Sequence, residues 1–347
     1  MTALVWIRRN LFATWFDAAI TLVCLWLIWR FLPPILDWTV LRADWVGEDR
    51  SACDSGGACW VFVRARFDQF MYGLYPAAQT WRVDLAGALL AALVVWAAWD
   101  RLPGRRIAIV LLLVVYPLAG LWLLLGGVGG LTYVETRQWG GLMLTVFMTV
   151  YAGLFAFPLG VLLALGRQSE LPVIRTLSVA FIEFWRGVPI ITVIFLASLL
   201  LPLILPVNID RLIRAVVGLT LVVAAYMAEA IRGGLQAVPK GQYEAAAALG
   251  LGYWRATWLI VLPQALRISL PALANEFIAL SKNTTLVLIV SLFDLLGIVH
   301  AASADPKWVG YNVEGYVFAG TIFWFACFAM SRWSASLERR LGTARSV

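Results

Sequence analysis

The sequence predicts an all-α membrane protein, a polytopic bundle of about eight transmembrane helices. Three observations point there. Of 347 residues, 62% are hydrophobic and only 14% charged, against about 25% charged in a soluble domain. Eight apolar runs, at 14–32, 85–99, 107–127, 141–166, 188–207, 212–230, 270–299 and 317–333, approach or reach the ~20 residues that a helix needs to cross a bilayer. Most Lys and Arg fall in the short links between these runs, so the net charge of +7 reads as placement for orientation rather than affinity for nucleic acid. The eighteen tryptophans agree, since indole favours the membrane interface.

The first run follows Arg8 and Arg9, is longer than a signal-peptide core and lacks a small-residue cleavage pattern. It reads as a retained signal anchor. The link 33–84 comes next. Its stretch "RARFDQFMYGLYP" alternates aromatic and polar residues, which suggests a small ordered cap with some helix on the membrane surface; the alternative is a mobile loop. Cys53 and Cys59 lie in the same link, in "CDSGGAC". Outside the cytoplasm they can pair as a disulfide; otherwise they are two free thiols. Cys24 and Cys327 lie inside apolar runs and read as small buried hydrophobes.

The short second run is separated from the third only by "DRLPGRR", which predicts a hairpin. A cytoplasmic N-terminus then satisfies the positive-inside rule. It places Arg8, Arg9, Arg101, Arg105, Arg106, Arg167, Arg175, Arg232, Lys240, Arg255, Arg339, Arg340 and Arg345 inside, while the short outer links show no basic excess. Eight spans with both termini cytoplasmic follow. Up to about Gly130 the spans hold few polar residues, and from Thr136 onward Gly, Pro and polar residues interrupt them. Accessory helices at 1–130, with the outer link 33–84, followed by a working core at 131–347, is the simplest division.

The link between the sixth and seventh runs reads "AVPKGQYEAAAALGLGYWRATWLIVLP". Pro239 suits a helix start, and residues 245–248 are strong helix formers. Gly250 and Gly252 then stop the helix and permit a left-handed turn. A second helix resumes near Tyr253, and Pro263 marks a bend before the next span. The product is a rigid small-residue knob on the cytoplasmic face, suited to a groove on another protein. The alternative is an interfacial helix that only connects spans.

Charges inside the spans mark further candidates. Glu183 and Arg186 are three residues apart, as are Glu229 and Arg232, so each couple can pair on one helix face as a structural ion pair; the alternative is a gate or a contact with a partner. In "NEFIALSKNTTL" Glu276 and Asn283 lie two turns apart and share a face. Glu276 suits an ammonium group. Asn283, Thr284 and Thr285, with Ser281 nearby, can serve a carboxylate; the alternative is that these groups hydrogen-bond only within the bundle. A single histidine, His300, leaves little for metal or histidine chemistry. No metal site is expected, and no nucleophile–base pair suggests an enzyme.

The spacing Glu244-Ala245-Ala246, three residues, Gly250, nine residues, Ile260-Val261-Leu262-Pro263 resembles the EAA loop of permease subunits of binding-protein-dependent ABC importers. "FIEFWRGVPIITVIF", "AYMAEAIRGGLQAVPKGQYEAA" and "EFIALSKNTTLV" are similar to polar amino-acid permeases of that superfamily, over roughly 136 to the C-terminus. The three preceding spans and the long outer link resemble the larger permease of a general L-amino-acid importer. The resemblance implies a type I ABC importer permease core in the bacterial inner membrane, with three N-terminal accessory helices. It implies a loop at 236–263 in which Gln242, Glu244, Ala245, Ala246 and Gly250 couple to an ATPase. The implied partners are a second homologous permease forming a heterodimer, two ATPase subunits and a periplasmic amino-acid-binding protein. The chain has no GxxxxGK[ST] loop, so no cofactor is expected on it, and ATP and Mg belong to the partner ATPase. Relatives that take cationic amino acids often carry Asp where this chain has Asn283; the lost charge suits a broader range of side chains. A stand-alone secondary transporter or channel is the alternative, since broken polar spans suit it equally.

Overall fold

A computed structural model describes residues 3–99, 102–204 and 209–343. Arg101, Arg345 and the stretch 205–207 of the fifth apolar run lie outside the described residues. Among the described residues the chain is helical, with no β-strand.

Helices α1 (Ala3–Leu11) and α2 (Trp15–Leu36) meet at Thr14, which caps α2: its hydroxyl accepts from the Asp17 N–H at 3.2 Å, and the Asp17 carboxylate accepts from the Thr14 N–H at 3.1 Å. This reciprocal box satisfies two donors that a helix start leaves open. α2 continues through Pro33 and Pro34 into a π turn at Asp37–Leu41, so the first span reaches beyond the 14–32 run. The two prolines lack donors, but both carbonyls accept from Asp37, which keeps the helix going. In the outer link α3 (Trp60–Ala65) and α4 (Phe67–Tyr72) form the expected helix. α5 (Thr80–Ala98) pairs with α6 (Arg105–Val110) and α7 (Tyr116–Leu125), which a π turn joins into one span.

α8 (Gly141–Arg167) is followed by α9 (Pro172–Gly187) and α10 (Ile190–Ile204), which bend by 107° at their junction. The 188–207 run is therefore the second arm of an elbow, and α9 is a helix where a polar link was expected. Pro189 explains the break. A residue before proline is pushed out of the helical region, and Val188 is extended at φ −93° and ψ 132°. α11 (Arg211–Gln236), α12 (Lys240–Ala248), α13 (Tyr253–Ala256) and α14 (Leu262–Asn283) follow. A π turn and a 3-10 stretch extend α13 and α14 into one helical rod, Tyr253–Val290. This rod starts earlier than the 270–299 run and stops at Ser291, whose φ of 57° is left-handed. α15 (Leu295–Ser303) is thus a separate helix, and α16 (Asn312–Thr343) carries the last span. Among the described residues seven helices are long and apolar enough to cross a membrane, and the elbow makes eight if it counts as one span.

The chain forms two compact units, residues 1–67 with 302–318, and residues 68–301 with 319–347. In the first unit Cys53 and Cys59 are joined as a disulfide. The Glu314 carboxylate accepts from the Cys59 N–H at 3.0 Å. Trp60 stacks on Trp45 at 5.6 Å, and the buried Phe62 meets Trp308 at 5.4 Å. Arg66 pairs with Asp305. The aromatics of the outer link therefore build an ordered cap.

The second unit is organised around α11, which packs against α8, α9, α10 and α14. Leu219, Val223, Met227 and Ile231 repeat every fourth residue and are buried. Gly218, Ala224, Ala225 and Ala228 lie among them, also buried. In a membrane, where lipid is as apolar as leucine, small residues let helices approach closely enough for dense packing. Gly234 is the tightest glycine of α11, since a Cβ there would stand 2.3 Å from the Ala265 carbonyl oxygen of α14.

Candidate functional site

Two places gather the residues singled out in the sequence: the α12 loop, and a cavity between the α9–α10 elbow, α11 and α14.

α12 ends in a pair of reverse hydrogen bonds. The Leu251 N–H donates to the Ala246 carbonyl at 3.1 Å, and the Gly250 N–H to the Ala247 carbonyl at 2.9 Å. This is a Schellman cap, whose pivot residue must be left-handed; Gly250 sits there at φ +70°. Gly252 does not share the role expected of it, because its φ of −67° is ordinary extended backbone. Pro263 makes no sharp bend, since the π turn at Thr257–Val261 absorbs its missing donor. Gln242, Glu244, Ala245 and Gly250 are exposed, whereas Ala246 is buried. Gln242 accepts at 3.1 Å from the amide of Gln264, which also donates to the Ile260 carbonyl. The knob is thereby tied to the base of the α14 rod. Glu244 lies past the first turn of α12, where the helix dipole gives little, and no hydrogen bond or ion pair engages its carboxylate among the described residues.

At the adjoining ends of α8, α9 and α11 lies an ion network. Glu229 takes Arg232 at 2.9 Å, as the three-residue spacing suggested, and also Arg167 at 2.8 Å. Glu183 does not pair with Arg186. Its partner is Arg167 at 2.9 Å, and Arg186 turns instead toward Glu229 at 3.7 Å. A local spacing cannot foresee this, because Arg167 arrives from another helix. Among these groups three guanidiniums face two carboxylates.

The cavity has a volume of about 500 Å³ and is walled in part by Arg186, Pro189, Tyr226, Glu276, Leu280 and Asn283. Glu276 and Asn283 share a wall, as their spacing predicts. Ser281, Thr284 and Thr285 stand apart from it. Their hydroxyls donate to the carbonyls of Ile278, Ser281 and Lys282 at 2.8, 2.9 and 2.8 Å. At about 100° per residue Thr284 and Thr285 fall about 80° and 180° around the helix from Glu276, so the two threonines leave its face while Asn283 stays on it. Sequence reasoning did not place Arg186 or Tyr226 here. The signal was "RGVP": a glycine and a proline just after an arginine break a membrane helix, and broken helices in membrane proteins line sites.

Residues 156–343 match the family model described as "Binding-protein-dependent transport system inner membrane component". The chain is 53% identical to the inner membrane amino-acid ABC transporter permease protein YhdY of Escherichia coli (strain K12), over 99% of this chain and 94% of the relative. It is 40% identical to the glutamate/glutamine/aspartate/asparagine transport system permease protein BztC of Rhodobacter capsulatus, over 98% and 94%. Among solved structures it is similar to a "Crystal structure of an amino acid ABC transporter with histidines", at 31% identity and a TM-score of 0.51, over 58% of this chain and 92% of the other.

Proposed function

The chain belongs to the family of binding-protein-dependent transport system inner membrane components, and on that premise we propose that it is the permease subunit of an ATP-driven importer that moves L-amino acids, over a broad range, from periplasm to cytoplasm. Its helical fold is that of type I ABC importer permeases. The amino-acid class rests on the names of relatives that match nearly its whole length.

The observation that carries the coupling step is the α12 knob. It is short, exposed and small-sided, pinned by a glycine cap at one end and tied through Gln242 to the α14 rod. A force applied to α12 is therefore passed to the helix that holds Glu276 and Asn283. We assign α12 to a groove on a partner ATPase, with Glu244 and Ala245 outward and Ala246 holding the knob on its base. ATP and Mg belong to that ATPase, and this chain binds no cofactor. When two ATPases close, the coupling helices of this chain and a homologous second permease move together. The pair then switches to the outward-facing state, and a periplasmic binding protein delivers the amino acid. Residues 1–130 are accessory to the 131–347 core, and both termini lie in the cytoplasm. The cavity with Glu276 and Asn283 is the place through which the substrate passes.

Uptake of a panel of labelled amino acids by the reconstituted assembly tests this reading. Uptake should require ATP and the binding protein, and should extend to several side-chain classes. Uptake by this chain alone, driven by an ion gradient, would remove the ATPase-coupled reading.

A further inference from the structure

We propose that Arg186 anchors the α-carboxylate of the transported amino acid, opposite Glu276, which receives the α-ammonium group. The proposal rests on the reading of the cavity as the substrate's path and adds what the cavity selects: the zwitterionic head common to all free amino acids.

Four observations carry it. The hydroxyls that the sequence offered for a carboxylate are committed to helix carbonyls and lie off the cavity wall. Arg186 is on that wall and, among the described residues, is the only arginine or lysine lining this cavity. It is also the surplus cation of the ion network. Glu229 is already held by Arg167 at 2.8 Å and by Arg232 at 2.9 Å, while Arg186 stands off at 3.7 Å, beyond hydrogen-bond range. Arg186 can turn to a ligand without stranding a carboxylate. Finally, the polar ends of Glu276 and Asn283 have no hydrogen-bond or ion-pair partner among the described residues, and Arg186 is near enough to act electrostatically on Glu276.

The chemistry matches a zwitterion. A guanidinium is always charged and presents a planar fork that fits a carboxylate. The Tyr226 ring lies under it, 5.6 Å from the guanidinium carbon, and holds it toward the cavity. Glu276 is an acceptor for an ammonium, and the Asn283 amide both donates and accepts, so it tolerates neutral and acidic side chains alike. With the head held by Arg186 and Glu276, the remaining space admits different side chains.

The test is equilibrium binding to the full assembly, with partner permease and ATPases but without the binding protein. The probes are labelled L-glutamine and its α-carboxamide, which lacks the carboxylate charge. For the unsubstituted assembly the amide should bind roughly ten- to a hundredfold more weakly, the range of a charged hydrogen bond. Arg186→Gln should weaken L-glutamine by a similar factor and erase the difference between the probes. Arg186→Lys should keep part of both. Equal binding of the two probes to the unsubstituted assembly overturns the proposal, whatever the variants do. If Glu276→Gln weakens L-glutamine but Arg186→Gln leaves affinity and probe preference unchanged, the cavity reading stands and the role of Arg186 falls. If neither variant changes binding, the cavity reading itself falls.

Discussion

Gly250 and Gly234 are both glycine for physical reasons, and the reasons differ. Around Gly250 nothing lies within 4 Å of where a Cβ would stand, yet φ is +70°. Its requirement is conformational. Gly250→Ala should therefore cost about 1 kcal/mol at the cap and lower ATPase stimulation in part. Gly250→Trp adds a bulky indole to the exposed turn and should release the ATPase subunits in a co-purification assay. Full ATPase retention and transport in that variant would remove the docking role of α12. At Gly234 the requirement is steric. Gly234→Ala should push α11 from α14 and destabilise the solubilised protein by about 1–3 kcal/mol, the usual scale of overpacking, seen as a lower melting temperature. The cavity residues call for another readout. Glu276→Gln or Asn283→Leu should change uptake while gel filtration shows an intact assembly. Normal uptake of every amino acid by both variants would exclude the cavity as the substrate path.

Among the elements, the α9–α10 elbow shows what sequence can and cannot convey. The α8 and α11 spans were legible because long apolar runs and small-residue spacing survive in any context. The elbow was half legible: the apolar arm α10 reads as a span and its amphipathic partner α9 as a link, because apolar residues on one face alone leave the mean hydropathy too low for a span. The Schellman turn was legible from Gly250 alone, since only a left-handed residue completes it. The ion network was not. Glu183–Arg186 has the i,i+3 spacing that favours pairing, but Arg167 from α8 reaches Glu183 first. The off-wall threonines were legible in principle, because the helical period alone turns Thr284 and Thr285 away from the face that Glu276 and Asn283 share. The network predicts an order of effects. Glu229 is held closely by Arg167 and Arg232, with Arg186 farther off at 3.7 Å, and has 18% of its side chain exposed, whereas Glu183 pairs with Arg167 alone and is 55% exposed. Glu229→Gln should lower the melting temperature clearly more than Glu183→Gln. The double variant should fall short of the sum, since both glutamates share Arg167. Equal effects, or simple additivity, would mean that the network is not a unit.

At the scale of the whole molecule the open quantity is the parity of the crossings. Among the described residues seven helices are long and apolar enough to cross unaided, and the elbow decides between seven and eight. Seven would put the termini on opposite sides of the membrane, and eight on the same side. The charges choose. Arg8 and Arg9 precede the first span, and Arg332, Arg339 and Arg340 lie at the end of the last, so a shared cytoplasmic side satisfies the positive-inside rule at both ends. With seven crossings one of these basic ends would have to be outside. The environment of the outer link bears on the side of the N-terminus. Its Cys53–Cys59 disulfide suits an oxidising compartment, which agrees with a link outside after the first span and an N-terminus inside. With both basic ends inside, the number of crossings is even, and we expect the elbow to complete one. A fluorescent protein that matures only in the cytoplasm should be bright at the C-terminus, and alkaline phosphatase fused after Glu135 should be active. A dark C-terminal fusion with an active phosphatase at the same position would show an odd number of crossings. That result would make the elbow re-entrant, and Arg186, at its apex beside the cavity, would then have to be reached from one side of the membrane only.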